Sequence, residues 1–177
     1  MFKKINIPKN TNLVFDTNIF LMGLDFNVIE NKIYTVPGVL EELKVDRYLG
    51  ENAIILQRIN CARQSNNLIV KTPETYYRNE VIGAAKTTND LALLSEVDIN
   101  IIALTLELKK TKEKECILFT NDYSMENVCL KLNIPFSPLG KKGIRKINYK
   151  NDIICPACGA KNPIGAKECK NCGTKFS

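Results

Sequence analysis

Four acidic residues lie where chemistry is expected in an α/β protein. They are Asp16, Glu42, Asp98 and Asp122. Asp16 directly follows an apolar, strand-like run, Asp122 lies two residues past Thr120 at the end of another, and the other two lie in the first turns of predicted helices. In an open parallel sheet, ligands bind beyond the carboxyl ends of the strands, so all four can converge on one edge. Clustered carboxylates repel one another unless a cation lies among them. Hard oxygen ligands favour Mg²⁺ or Mn²⁺ over zinc.

Each acid also has a purely structural explanation. An aspartate after a strand is commonly a helix cap, which would account for Asp16 and Asp122. Asp98 could be only the partner in a capping box that begins at Ser95. Glu41 and Glu42 could be a solvated pair. The metal-binding hypothesis depends on the four acids acting as one group.

The sequence contains no histidine, which narrows the possible chemistry. Ser-His-Asp and Cys-His catalysis, histidine-pair nucleases and zinc sites with an imidazole ligand are all excluded. Neither a P-loop nor a G-x-G-x-x-G dinucleotide motif is present, so an ATPase or a dinucleotide enzyme is not supported. Acid, base or metal chemistry must use carboxylates and thiolates.

Seven cysteines fall into two groups. Cys61, Cys116 and Cys129 lie in apolar surroundings and are predicted to be small buried residues. The other four form a C-x2-C-x10-C-x2-C array, in which each pair is followed by a glycine; they are Cys155, Cys158, Cys169 and Cys172. This spacing predicts a structural Zn²⁺ ribbon. An iron-binding knuckle or a redox dithiol pair is the alternative.

The positive charge is concentrated at the C-terminal end. The whole chain carries a net charge of +6; residues 1–133 hold 16 basic and 17 acidic side chains, whereas residues 134–177 hold 9 and 2. Four zinc-bound thiolates would lower the charge of the tail by about 2 and leave it basic. Such a tail predicts a polyanionic partner. A carboxylate-held Mg²⁺ or Mn²⁺ beside it indicates phosphodiester hydrolysis, leaving 3′-hydroxyl and 5′-phosphate ends.

Alternating apolar runs and helical patterns predict the elements that position these residues. Strands are expected at 12–15, 33–36, 67–70, 116–119 and near 135–137. Helices are expected after Pro37, at 51–64, at about 75–85, from the capping box to 108, and through 128–132, with a polar turn at 87–90. The order predicts an α/β fold with a parallel sheet flanked by helices. No run is long and apolar enough for a transmembrane helix or a signal peptide, and we expect a cytoplasmic protein without a membrane partner.

Four segments resemble a PIN-domain ribonuclease over residues 12–139: Leu-Val-Phe-Asp-Thr-Asn at 13–18, Val-Leu-Glu-Glu-Leu at 39–43, Leu-Ser-Glu-Val-Asp-Ile at 94–99 and Phe-Thr-Asn-Asp-Tyr at 119–123. With the four-cysteine ribbon, the whole chain resembles the Nob-type endonucleases. The resemblance implies three parts: a PIN-like nuclease domain (1–139), a basic linker (140–152) and a zinc ribbon (153–177). It also implies maturation of the 3′ end of small-subunit ribosomal RNA on a pre-ribosomal particle.

The resemblance assigns catalytic and metal-binding roles to the four acids. It places Thr120 and Asn18 beside them as orienting groups. It favours Glu42 over Glu41, because the family's acid directly precedes the leucine. The family often has two acids after the threonine, whereas here the first is Asn121.

The linker carries the candidate RNA-binding side chains: Lys141, Lys142, Arg145, Lys146 and Lys150. A solvated linker is the alternative interpretation. Tyr149 could stack on bases, whereas Tyr76 and Tyr77 are expected to be packing residues. Two other functions stay open. One is a non-catalytic RNA-binding or ribosome-assembly protein, and the other is a toxin-like PIN ribonuclease that attacks tRNA or mRNA.

Overall fold

The computed structural model describes most of the chain, namely residues 7–8, 10–44, 49–111, 115–140, 143–145, 153–162 and 166–176. Within these residues a five-stranded parallel sheet is flanked by helices, as the sequence predicts. The strands are β1 (Asn12–Phe15), β2 (Ile33–Thr35), β3 (Leu68–Val70), β4 (Cys116–Phe119) and β5 (Phe136–Ser137). Their order is β3-β2-β1-β4-β5, so β1 lies at the centre.

The register brings the carboxyl ends of the two central strands together. Phe15 is paired with Phe119, and both are the last residues of their strands. The residues that follow them, Asp16 and Thr120, therefore leave the sheet side by side. Parallel strands buried on both faces are apolar throughout, which explains why β1 and β4 were recognisable from sequence.

Six helices connect or cover these strands: α1 (Thr17–Leu21), α2 (Pro37–Leu43), α3 (Leu49–Gln64), α4 (Thr75–Thr88), α5 (Glu96–Thr111) and α6 (Tyr123–Lys131). Short 3₁₀ turns occur at Phe26–Val28 and Leu91–Leu93. Helix α5 is buried over most of its length, as its all-round apolar pattern predicts. Of the described helices, none is long and apolar enough to cross a membrane.

One predicted turn is wrong in part. Residues 87 and 88 were expected in a polar turn, but they form the last turn of α4. Their hydroxyls donate back to the carbonyls of Gly83 and Ala84, which satisfies these side chains within the helix. The helix ends where Asn89 adopts the left-handed conformation at φ 59°.

The predicted burial of the scattered cysteines holds for two of the three. Cys116 and Cys129 are buried, but Cys61 is exposed. Among the described residues of α3, Ile59 and Ala62 are buried in the core, and Cys61 lies between them on the outer face. Apolar neighbours in the sequence did not distinguish the two faces of this helix.

An ion pair with one buried partner ties α5 to the segment between β3 and α4. Glu107 is almost completely buried and binds the ammonium group of Lys71. Its second oxygen accepts the backbone N–H of Glu74 at 2.9 Å. A buried carboxylate is stable only when its oxygens are paired in this way. This contact holds α5 against the edge of the sheet.

The C-terminal ribbon contains a short antiparallel pair, β6 (Ile153–Ile154) and β7 (Lys161–Asn162). An isolated bridge joins Glu168 and Lys175. So small a segment has no room for a hydrophobic core of its own, so its fold depends on the cysteine cluster.

Candidate active site

Asp16 lies at the centre of the candidate site. It follows β1, is 3% exposed, and is the N-cap of α1. Its Oδ1 accepts the backbone N–H of Thr17 at 2.6 Å, and its Oδ2 accepts the hydroxyl of Thr120 at 3.0 Å. The side-chain amide of Asn18 approaches Oδ2 at 3.5 Å. Both predicted orienting residues therefore contact Asp16, Thr120 more closely than Asn18.

The surroundings of Asp16 disfavour its ionised form. Burial is the largest cause, and the Asp98 and Asp122 carboxylates add like-charge repulsion. The Thr120 hydroxyl and the Thr17 amide act in the opposite direction. The net result raises the pKa of Asp16 from 3.8 to about 6. Three of the four predicted acids are therefore close enough to influence one another.

Glu42 joins the group through a hydrogen bond. The hydroxyl of Thr17 donates to its Oε2, and Thr17 also donates its amide to Asp16. Glu41, one residue earlier, lines a separate cavity instead. This arrangement favours Glu42 over Glu41 as the candidate metal ligand, because Glu42 is linked to Asp16 through Thr17. Thr17 was not singled out from sequence, although its position next to Asp16 was the available signal.

Asp98 also performs the structural role considered for it. Its carboxylate accepts the Ser95 backbone N–H at 2.8 Å, and the Ser95 hydroxyl accepts the Asp98 N–H at 3.1 Å. This is a complete capping box at the start of α5. The structural and the metal-binding interpretations of Asp98 are therefore compatible.

Asp122 likewise caps a helix while it faces the site. Its Oδ1 accepts the N–H groups of Ser124 and Met125 at 2.6 and 3.3 Å, at the start of α6. Its own N–H donates to the Thr120 hydroxyl at 3.1 Å. Thr120 is therefore a fixed link between Asp16 and Asp122.

Asn121, where the family often has an acid, serves the fold. Its Oδ1 accepts the backbone N–H of Leu139 at 3.0 Å, which fixes the segment after β5. Its amide contacts the sulfur of Met22 at 3.6 Å. Asn121 is thus committed to holding two loops together.

The acids surround Asp16 without forming a closed cage. Across the described ranges, the one group of three or more potential ligands whose donor atoms all lie within 4.8 Å of one another is the cysteine cluster. Carboxylate oxygens are the donors that Mg²⁺ and Mn²⁺ prefer, and Mg²⁺ commonly keeps several waters with only one or two carboxylates. The crowding that raises the pKa of Asp16 is the condition that a cation would relieve. The donor set therefore fits a hard divalent ion.

The cysteine cluster has the dimensions of a tetrahedral metal site. The sulfurs of Cys155 and Cys172 are 3.6 Å apart, as are those of Cys158 and Cys169. Four sulfurs bound to zinc at 2.3 Å would be separated by about 3.8 Å. All four predicted ligands are therefore brought together, and they can hold a metal ion.

Two glycines shape the turns around this cluster, as predicted. Gly159 and Gly173 have φ values of 69° and 74°, in the left-handed region. Their amides donate to the carbonyls of Cys155 and Cys169 at 2.9 and 2.8 Å. The two halves of the ribbon are thus built alike.

Hydrogen bonds to sulfur favour the thiolate form. Burial opposes ionisation of Cys169, but backbone N–H groups of Cys172 and Asn171 and the side-chain amide of Asn162 outweigh it. The pKa of Cys169 is lowered to about 6. Because the thiolate is the metal ligand, these donors prepare Cys169 to bind a cation.

Of the five predicted RNA-binding side chains, the structure describes one. Arg145 is exposed. The other four candidates lie outside the described residues, as does Tyr149; they are Lys141, Lys142, Lys146 and Lys150. Tyr76, expected to pack, is 67% exposed and meets Tyr77 edge to face.

The parallel sheet with acidic residues at one edge is accompanied by sequence similarity to a class of nucleases. A protein-family model described as the PIN domain of ribonuclease matches residues 13–108, more than half of the chain. This match includes Asp16, Glu42 and Asp98. The class is therefore that of the PIN-domain ribonucleases.

Individual relatives narrow the class. The chain is 35% identical to Endoribonuclease Nob1 of Pyrococcus abyssi, over 92% of this chain and 89% of the relative. It is 31% identical to Endoribonuclease Nob1 of Methanocaldococcus jannaschii, over 91% and 74%. Ribonuclease VapC1 of Thermoplasma acidophilum is 27% identical over 90% and 74%. The chain belongs to the Nob1 endoribonuclease family, which confirms the resemblance inferred from the motifs.

Proposed function

We propose that the protein is a divalent-metal-dependent endoribonuclease that matures the 3′ end of small-subunit ribosomal RNA. It cuts a single-stranded segment of the precursor in the cytoplasm, on the pre-ribosomal particle, and leaves 3′-hydroxyl and 5′-phosphate ends. The observation that carries this proposal is the buried Asp16 carboxylate, whose pKa is raised by burial and by neighbouring acids. Family membership supplies the RNA substrate class.

The four acids at the edge of the sheet form the proposed metal site. Asp16, Glu42, Asp98 and Asp122 would hold Mg²⁺ or Mn²⁺. When bound, such an ion lowers the pKa of a water and neutralises charge that develops on the phosphate. Thr120 and Thr17 fix the orientation of the Asp16 carboxylate through the hydrogen bonds described above. The scissile phosphate is thereby placed at the carboxyl ends of β1 and β4.

The C-terminal part holds the RNA. Structural Zn²⁺ bound by the four cysteines would fold the ribbon. The basic linker and ribbon then supply sequence-independent attraction for phosphates. Arg145 is the one linker side chain of this group that the structure describes, and it is exposed.

The test is cleavage of a small-subunit rRNA precursor fragment with Mn²⁺. The wild-type chain should give one principal product pair with the stated ends, and Asp16→Asn should reduce cutting by at least a hundredfold with RNA affinity within threefold. Asp25→Asn is the matched control, since Asp25 is exposed and caps a 3₁₀ turn elsewhere. Wild-type cutting by Asp16→Asn would refute the assignment.

Two alternatives have distinct outcomes in the same assay. Tight, salt-sensitive RNA binding without Mn²⁺-stimulated cleavage of any RNA would indicate a non-catalytic assembly protein. Faster cleavage of free tRNA or mRNA than of the rRNA fragment would indicate a toxin-like ribonuclease. The similarity to Ribonuclease VapC1 is the observation that favours including this comparison.

A further inference from the structure

A cavity of about 230 Å³ opens beside the candidate active site. It lies at the carboxyl ends of β2 and β3, where Val36 and Thr72 leave the sheet. The first turns of α2 and α5 form its walls. Since β2 is the neighbour of β1 in the sheet, and adjacent strands lie about 4.8 Å apart, the cavity is next to the site centred on Asp16.

The two helices serve the site and the cavity with consecutive residues. On α2, Glu42 bonds Thr17 at the site, whereas Glu41 lines the cavity. On α5, Asp98 influences Asp16, whereas Val97 lines the cavity. Consecutive helical residues point about 100° apart, which accounts for this division. The mouth of the cavity is therefore adjacent to the place where a phosphate at Asp16 would lie.

The distance between the two helices is fixed by a glycine. A Cβ atom on Gly38 would lie 2.7 Å from Cγ2 of Val97, closer than real Cβ contacts. A larger residue at 38 would have to displace the Val97 side chain or push α2 away from α5. The close packing of Gly38 against Val97 therefore limits the width of the cavity.

The lining offers apolar walls with hydrogen-bond acceptors among them. Pro37, Pro73 and Val97 supply apolar surface. Glu41 supplies a carboxylate, and the Oδ1 of Asn100 is buried without a hydrogen-bond partner in the described part of the chain. A buried acceptor without a donor is costly, so a ligand that brings an N–H group is favoured.

This combination disfavours a phosphate and favours a nucleobase. The Glu41 carboxylate repels an anion, whereas the charge of Glu96 is paired with Arg78 at 2.9 Å. A base is flat and uncharged, and its amino edge can donate to the exposed carboxylate of Glu41 and, once the Asn100 side chain turns toward the cavity, to its Oδ1. The volume is below the 300–1,000 Å³ of pockets for drug-sized ligands. It suits one base and not a longer segment.

We propose that this cavity binds one base of the RNA flanking the cleaved bond and selects a base with an exocyclic amino group. Glutamate accepts from cytosine N4, and asparagine contacts adenine N6, in known nucleic-acid readout. Uracil presents a carbonyl where cytosine presents the amino group, and meets the Glu41 carboxylate unfavourably. The proposal rests on the proposed function, because it assumes RNA at the acidic edge.

The experiment measures binding of short single-stranded RNAs by fluorescence anisotropy. The oligonucleotides are identical except that one position at a time is cytosine or uracil. The full chain carries Asp16→Asn, so that the RNA stays intact. We expect about tenfold tighter binding of cytosine at one position. Glu41→Gln and Asn100→Leu, added singly, should reduce this ratio to below twofold.

Glu115→Gln is the matched control, because Glu115 is exposed and lies at the opposite edge of the sheet, before β4. It should leave the cytosine preference unchanged. Glu41 is also exposed, so Glu41→Gln tests the cavity without a change in the core, and thermal melts by circular dichroism check the fold of Asn100→Leu. Equal binding of cytosine and uracil at every position, or a preference that survives both cavity variants, would overturn the proposal.

Cleavage by chains that retain Asp16 separates this proposal from the proposed function. If Glu41→Gln and Asn100→Leu cut every RNA with unaltered base preference, the subsite is wrong and the nuclease assignment stands. A cytosine preference that depends on these residues, in a chain that cuts nothing, keeps the subsite and removes the nuclease. Loss of all cutting in Glu41→Gln, irrespective of the base, would make Glu41 a metal ligand and refute its role in base selection.

Discussion

Replacing Asp16 with asparagine is expected to stabilise the metal-free protein at neutral pH, although it abolishes the proposed activity. The pKa of Asp16 rises from 3.8 to about 6, chiefly because the carboxylate is buried. A shift of about two units corresponds to roughly 3 kcal/mol by which the ionised side chain destabilises the fold. Weaker hydrogen bonding of asparagine to Thr120 offsets about 1 kcal/mol. We therefore expect a net gain of about 1–2 kcal/mol at pH 7.

The gain should depend on pH in a defined direction. The folded wild type binds its Asp16 proton more tightly than the unfolded chain does. Its stability therefore falls as the pH rises from about 4 through the folded-state pKa of about 6, and this loss is complete at about pH 7. Asparagine does not titrate. The difference in unfolding free energy between variant and wild type should thus grow between about pH 4 and pH 7 and then stay constant.

Urea unfolding followed by far-ultraviolet circular dichroism measures this difference. Buffers are freed of divalent ions except for one equivalent of Zn²⁺, which both proteins receive. Asp25→Asn, at an exposed position, should stay within about 0.5 kcal/mol of wild type at every pH. Added Mn²⁺ should stabilise the wild type more than Asp16→Asn, because binding to the folded state adds to stability. If Asp16→Asn is no more stable than wild type at pH 7, with no change in the difference below it, the carboxylate is not electrostatically crowded.

Three further outcomes are expected. Thr120→Val removes a hydrogen bond that lowers the pKa of Asp16, so the acidic limb of the pH–rate profile should move to higher pH and RNA cleavage should slow about tenfold. An unmoved limb would contradict the influence of Thr120 on the pKa of Asp16. Glu107→Ala should lower the unfolding free energy by about 1–3 kcal/mol in urea titrations, because the Glu74 amide loses its buried acceptor. An unchanged midpoint would show that the contacts of Glu107 with Lys71 and Glu74 do not stabilise the fold. Cys158→Ser should weaken RNA binding at least tenfold, while the circular dichroism spectrum keeps the helical signal of the folded α/β domain. Global unfolding would show that the ribbon and the α/β domain depend on each other for folding.

The sheet could be predicted from sequence because its strands are buried on both faces. Such strands are short apolar runs, and β1 and β4 begin and end where those runs do. Helix ends were less certain. The continuation of α4 through Thr88 depends on hydroxyls bonding back to the helix, which polar composition does not reveal. Helix α1, with five residues, is too short to show a period.

The sequence predicts which acids lie at the same edge of the sheet, but it does not predict their hydrogen bonds. Strand ends and helix starts brought Asp16, Asp98 and Asp122 to one edge. Which hydrogen bonds those acids make depends on side-chain rotamers and on neighbours far apart in sequence. The link from Thr17 to Glu42, over 25 residues, is of this kind. The cavity beyond Glu41 was missed for the same reason, since it arises from the close packing of two helices.

Asp16, Asp98 and Asp122 each accept a backbone amide at a helix start, from Thr17, Ser95 and Ser124 respectively. A cation drawing on the same oxygens would polarise or lengthen those three bonds. The amide resonances of these residues would then serve as built-in reporters of ion occupancy, readable in a nitrogen–proton correlation spectrum without any label on the RNA. Ion binding at the acidic edge of the sheet could in this way be followed one helix at a time, separately from RNA cleavage.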